Sequence, residues 1–444
     1  MKRTVLIGLL VAVLVFPVMA QGAREAAKEE GPVVLKVWGG VPEENGPGAL
    51  IAEFERQNPN IKIDYNRFVN DDQGNLRLDT ALIAGNQVDV FFTYRNDVLV
   101  RRAESGNALS LSDIAAKDGF DLKKEFGDLS YATVKDQIFA LPTNKGPQFF
   151  MVNKDMFDAA GIDLPTSWTA EEFRDVARRL SSGSGQNRVY GVMYPSWPQL
   201  HILGAQSTLG PNAFMDTKTM TSNFKNPLFA KSIDLRKTMS YQDMSEIPYV
   251  EVVSQNLSDA TEFLTGRVAM IYTGTWRIRN VRDLKAYPHD FITAFVPYYS
   301  MDAASDRLYN EGSLGDWAMI AKGTKHADAA WKFIKYWATV GADPMVELGG
   351  KIPAWTQYPA EKVTKTMLGE DAEALFDVAS FENVILNAPF YSYQPTDPVG
   401  IKIYNDIRKS LQEEVELYFI NRQTLDQTIN ALDRRTNDLI KFAK

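Results

Sequence analysis

Cysteine is missing from all 444 residues. Disulfide bridges and thiolate metal sites are thereby excluded, and so is a lipid-modified cysteine near the amino terminus. Histidine is nearly as scarce, with only His201, His289 and His326. That excludes a histidine-rich metal site, and His201 alone reads as structural. No basic run occurs, and the formal net charge is −8. Nucleic acid is therefore excluded as a partner, because phosphate neutralisation needs clustered Lys and Arg. The chain holds no Gly-x-Ser-x-Gly elbow, no His-Glu-x-x-His, no Walker loop and no Gly-x-Gly-x-x-Gly. No internal repeat, heptad array or low-complexity tract breaks it up. Asn70-Asp71-Asp72 lacks the alternating ligands and the closing glutamate of a calcium loop. No metal and no cofactor are expected.

What is present is an apolar content ordinary for a globular chain, and a length that suggests two or three domains. Lys2 and Arg3 precede an apolar run over 4–16 that Pro17 closes, followed by Val18-Met19-Ala20. This is the pattern of a secretory signal peptide over 1–20, cut near Ala20. Residues 21–32 read as a flexible leader, and folding is expected to begin at Val33. With no cysteine to carry a lipid, a periplasmic protein is expected.

From Val33 the pattern is strand (33–38), loop, helix, strand (61–65), helix, strand (88–92). This β-α-β-α-β order predicts a parallel sheet with helices on its faces. A strand over 148–152, helices over 228–239 and 329–338, strands over 291–296 and 317–320, and long helices over 399–420 and 425–442 follow. The stretch 263–276 organises the chain. A helix ends at Gly266, which takes a left-handed cap without a Cβ penalty. An apolar strand covers 268–272, and Thr273-Gly274-Thr275-Trp276 then exposes a large ring at the strand's carboxyl end. Ligands sit at that end of open α/β sheets, so Trp276 reads as a stacking platform for a small polar ligand.

These segments resemble the extracellular solute-binding proteins of ABC importers, the group that includes maltodextrin and glycerol-phosphate binders. Phe54 to Ile63 is similar to that family's first helix-to-strand joint. Gly85 to Phe92 resembles its G-x-x-PDV strand, with Val88 in the proline position. Val152 to Gly161, followed by Pro165 and Ser167-Trp168, is similar to its YNKD-F-aG-P-TW signature, with Val152 for tyrosine. The stretches 138–142, 263–276 and 329–334 match its three crossings between lobes. The resemblance covers essentially the whole mature chain. It implies a bilobal periplasmic-binding-protein fold of two discontinuous α/β lobes, one of 33–141 plus 276–321 and one of 143–273 plus 327–444. Hinges are expected near Pro142-Thr143, Thr273-Gly274 and Lys322-Gly323. It further implies a ligand held between the lobes, closure around it, a permease partner and a monomeric chain.

Eight tryptophans are the informative residues. Trp331 and Trp337 share a helix with Phe333 and Ile334 and read as core, and Trp168 reads as a helix-start staple. Trp38, Trp197, Trp276, Trp317 and Trp355 each stand at a strand end or in a Gly- or Pro-bearing loop. A pyranose has one apolar face that packs on such a ring and a hydroxyl rim that asks for planar polar partners. Tyr94 and Arg95 directly follow the third strand, and Arg95 has either a ligand or Asp97 as its partner. Asp316 flanks Trp317 after a Gly-bearing turn, Asn144 follows Leu141-Pro142, and Tyr391 and Tyr393 lie between Pro389 and Pro395. The resemblance adds Trp197, where maltodextrin binders place an aromatic, and Glu43 and Glu44, in a loop that binds hydroxyls in that family. A carbohydrate binder without catalytic residues is the reading preferred. A binder of another polar solute, such as a polyol phosphate or polyamine, and a glycoside hydrolase with paired carboxylates are the alternatives.

Overall fold

A computed structural model describes residues 31–85, 88–302, 305, 307–389 and 391–443. The expected signal peptide and most of the leader lie outside the described residues. Two mixed sheets organise the molecule. In the first, the strands run in the order Trp317–Ile320, Val90–Thr93, Val33–Gly39, Ile61–Arg67. The last three are parallel, in register from Val33↔Ile61 to Gly39↔Arg67 and with Val37 opposite Val90. Trp317–Ile320 joins antiparallel, with Trp317 opposite Thr93. Val90–Thr93 is buried at every position, as expected of a strand covered on both faces. The connecting helices start where their sequences place them. Pro47 opens Pro47–Gln57, where its missing N–H costs no bond, and Asp71 caps Asp72–Ala84 by accepting the Gly74 N–H.

The second sheet has the order Thr293–Val296, Gln148–Asn153, Val268–Gly274, Tyr190–Met193. Its central strand Val268–Gly274 is buried at all seven positions and pairs antiparallel with Gln148–Asn153, ending at Gly274↔Gln148. Helices Pro227–Tyr241, Pro398–Phe419 and Leu425–Ala443 pack behind it around Phe229, Ile233, Ile407 and Leu432.

Between the two sheets runs a small three-stranded ladder. Asn144–Lys145 lies in its middle, with Leu314–Gly315 on one side and Ile352–Pro353 on the other. Here the chain passes between the lobes, which corrects two expectations. The second crossing is not at Thr273-Gly274. Both residues stay inside the second sheet, Ile278 and Val281 join its core beside Phe149, and Thr293–Val296 pairs with Gln148–Asn153. So the beginning of the 276–321 segment belongs to the second lobe, and the chain returns only near Ser313. Likewise helix Ala327–Ala338 does not join the second lobe, and Lys322-Gly323 is not a crossing. The helix buries Ala330, Trp331, Phe333, Ile334 and Trp337 in the first core with Phe54 and Phe92. The physical reason is the same for both: strand pairing and apolar cover, not order in the chain, decide which lobe holds a segment.

Candidate functional site

A cleft of about 700 Å³ opens beside the ladder. Its first wall comes from the start of helix Asp72–Ala84, with Asp71 and Asn75, and from Tyr94 to Asp97 after strand Val90–Thr93. Its floor is the ladder region, with Asn144, Gln148 and Ser313 to Asp316. Its second wall carries Trp197, Gln199, Trp276, Tyr404 and Arg408.

Two indoles form a corner in this cleft. The strand Val268–Gly274 ends in a short 3-10 turn, Thr275–Arg277, which turns Trp276 out of the sheet. Trp197 precedes Pro198, which opens the 3-10 turn Pro198–Ile202. The ring centroids are 6.1 Å apart and the planes meet at 47°. Both rings are half-buried, so each leaves part of a face open for packing.

The polar groups form a connected frame. Arg95 forks onto Asp97 and also donates from Nη2 to Asn405 Oδ1 at 2.7 Å, on helix Pro398–Phe419 of the other lobe. The Gly40 N–H donates to Tyr94 Oη at 2.6 Å, and burial pushes the Tyr94 hydroxyl's pKa well up. Lys351 Nζ stands 2.8 Å from Asp316 Oδ2, both side chains being largely buried. Asp316 has φ +48°, a left-handed backbone that aspartate tolerates. Glu311 is buried and accepts from the Gln199 amide, whose own oxygen accepts from Arg408 Nε at 2.8 Å. Burial raises the pKa of the Glu311 carboxyl, and the Gln199 bond and the Arg408 charge act against that. Behind the first wall, buried Arg102 ties Asn75 to Thr93 through bonds of 3.0 and 2.8 Å.

Of the residues singled out in the sequence, Trp276, Trp197, Tyr94, Arg95, Asn144 and Asp316 come together on this cleft. The others stand elsewhere. Trp317 is fully buried in the first core, and its indole N–H donates to Asn96 Oδ1 at 2.9 Å, so it braces a wall residue from behind. Trp38 is half-buried against the same core. Trp355 packs there too, with its N–H on Glu125 Oε2 at 2.7 Å. Tyr393 is buried in the second lobe's core, in the cluster of Phe150, Tyr194 and Tyr299. Tyr391 is exposed, with the Arg307 guanidinium over its ring. Glu43 and Glu44 are exposed on the 3-10 turn Glu43–Asn45, off the cleft lining. For the four aromatics other than Tyr391 the core takes the side chain, Tyr391 takes a cation over its ring, and the two glutamates stand in solvent. His201 is structural: it is buried between Tyr249 and Phe419.

The sequence reading missed Lys351, Glu311, Gln199 and Arg408. The doublet Gly349-Gly350 before Lys351, and Gly312 after Glu311, were the available signals of a close backbone approach. Gln199 and Arg408 carry no local signal, since a 3-10 turn and the middle of a long helix look alike wherever they face.

No helix among the described residues is long and apolar enough to cross a membrane. The sequence profile of the bacterial extracellular solute-binding proteins matches residues 43–344. A maltotriose-binding protein of Pyrococcus abyssi is 23% identical over 266 residues, a stretch spanning 59% of this chain and 53% of that protein. An uncharacterised ABC transporter extracellular-binding protein of Pyrococcus horikoshii is 21% identical over 92% of this chain and 89% of its own length. Among solved structures, an ABC substrate-binding protein of Listeria monocytogenes in complex with cycloalternan superposes with a TM-score of 0.74. It is 18% identical, over 93% of this chain and 99% of that one. A bilobal architecture, a cleft at the crossing ladder and a profile that spans most of the fold lead to one conclusion: the chain belongs to the bacterial extracellular solute-binding protein family.

Proposed function

We propose that this protein is the solute-capturing component of an ABC importer, and that it holds a neutral carbohydrate in the cleft without transforming it. The observation that carries this reading is the indole corner of Trp197 and Trp276, set among amide and carboxyl side chains. Aromatic faces accept the C–H side of a sugar ring, and the polar frame meets its hydroxyl rim. The cationic side chains on the cleft already have partners: Arg95 has Asp97, Lys351 has Asp316 and Arg408 has Gln199. A neutral guest is therefore preferred over an anionic one. The P. abyssi relative's name, maltotriose-binding, and the cycloalternan in the L. monocytogenes complex support the same class of ligand.

In this reading the protein is exported after cleavage near Ala20, works as a monomer in the periplasm, and docks its closed form on a membrane permease. The lobes close because a guest that touches both walls binds the closed form better. The three-stranded ladder is the place where such bending is absorbed. A thermal-shift screen of the mature protein against mono- and oligosaccharides, polyols and polyamines tests the reading. Binding to the folded state alone raises the melting temperature, by about 2.7 kcal/mol of stability at a hundred times Kd. A rise with at least one sugar, with that sugar recovered intact, is the expected outcome. A rise only with polyamines, or cleavage of the sugar, refutes it.

A further inference from the structure

Gly274 is the last residue of a strand that is otherwise rich in large side chains. Its backbone, at φ −136° and ψ −177°, is ordinary extended chain that any residue adopts. Conformation therefore does not require glycine there, and a glycine inside a strand weakens it. Space does require it. A Cβ on Gly274 would overlap Cζ3 of Trp276 and stand 2.6 Å from Cη2 and 2.7 Å from Cε3. The six-membered ring of the indole thus lies directly on the bare Cα of Gly274. A second glycine lies close against the backbone of the same turn. Gly350 has φ +63°, and a Cβ there would come within 2.5 Å of the Thr275 oxygen and 3.3 Å of the Trp276 Cα.

We infer that Gly274 is the positioning residue for Trp276: its missing side chain is the seat that holds the indole at its angle to Trp197. The consequence for ligand binding rests on the carbohydrate reading above; the seat itself does not. Adding one methyl group at 274 pushes the ring off the strand and opens the corner, although nothing that touches the guest has been replaced.

Circular dichroism tests the seat without any ligand. Two indoles with centroids 6.1 Å apart and tilted by 47° couple their transitions, and the resulting couplet is expected in the wild type. It should vanish in Trp197→Phe and in Gly274→Ala alike. A full couplet in folded Gly274→Ala overturns the inference. Should Gly274→Ala fail to fold, the double variant Gly274→Ala/Trp276→Ala decides. Folding as well as Trp276→Ala supports the seat, because the indole is what the methyl meets. Persistent unfolding overturns it, because the glycine then serves the strand itself. Maltotriose serves as the binding probe: if the wild type binds it, Gly274→Ala should lose at least tenfold in affinity, the same loss expected of Trp276→Ala. Unchanged affinity in Gly274→Ala overturns the consequence for binding. Failure of the wild type to bind any sugar counts against the carbohydrate reading and leaves the couplet result standing.

Discussion

Arg95 and Asn405 join the two lobes across the cleft, the guanidinium Nη2 donating to the amide oxygen at 2.7 Å. The same guanidinium is held by Asp97, so it is aimed before the lobes meet. Tyr131 adds a second tie, its hydroxyl donating to the Gln394 carbonyl at 3.3 Å. Losing one such bond at a partly exposed site costs about 1 kcal/mol, roughly fivefold in a two-state equilibrium. Asn405→Ala should therefore shift the protein towards open forms, read as a larger radius of gyration in solution scattering. An unchanged radius would show that this bond does not bias closure.

Trp276→Ala and Trp197→Ala each remove one face of the indole corner. Each is expected to weaken sugar binding at least tenfold, about 1.4 kcal/mol. Because both rings are half-buried, the melting temperature of the free protein should move much less than it does for a core tryptophan such as Trp317. Isothermal titration beside thermal melts separates the two effects. Equal affinity for wild type and both variants would remove the indoles from the site.

Lys351→Met strands the Asp316 carboxylate in a largely buried place. An unpartnered carboxylate there costs on the order of 1–3 kcal/mol. The melting temperature should fall, and Lys351→Met/Asp316→Asn should recover most of the loss, since an amide needs no counter-charge. A double variant as unstable as the sum of its parts would mean that the two residues act independently.

His201 gives stability a pH dependence whose sign is fixed by its burial. Desolvation, and then the nearby Arg236 charge, hold its imidazole well below the ordinary value of 6.5. The unfolded chain takes up a proton near 6.5 and the folded chain does not, so stability is intact above that pH and falls as pH drops below it. The slope approaches about 1.4 kcal/mol per pH unit. His201→Phe keeps the packing against Tyr249 and Phe419, at 4.6 and 5.1 Å. Its melting temperature should fall less than that of the wild type between neutral and mildly acid pH. Parallel curves for the two proteins would rule out His201 as the source.

Much of the local structure was legible. The apolar runs at 33–38 and 88–92 announced the first sheet, and Gly266 with φ +71° closes its helix as a left-handed cap should. The ring that follows Val268–Gly274 was legible as a candidate, because a large aromatic placed in the turn after a buried strand stands at the sheet's carboxyl end, where clefts open. Trp317 shows the limit. It follows a Gly-bearing turn much as Trp276 does, yet it is fully buried. Hinge placement failed for a related reason: Thr273-Gly274 has the composition of a flexible joint, but its glycine answers to an indole two residues on.

Alone, the order of residues determined where strand and helix segments lie and how helices are capped, which rest on local pattern, while composition determined the absence of thiol chemistry and the number of large rings. Only the tertiary structure decided which rings face the cleft, that Thr293–Val296 and Ala327–Ala338 exchange the lobes expected of them, and that Lys351 meets Asp316. Those outcomes depend on pairings and cover between segments far apart in the chain, where the neighbour that buries a side chain leaves no trace beside it in the sequence.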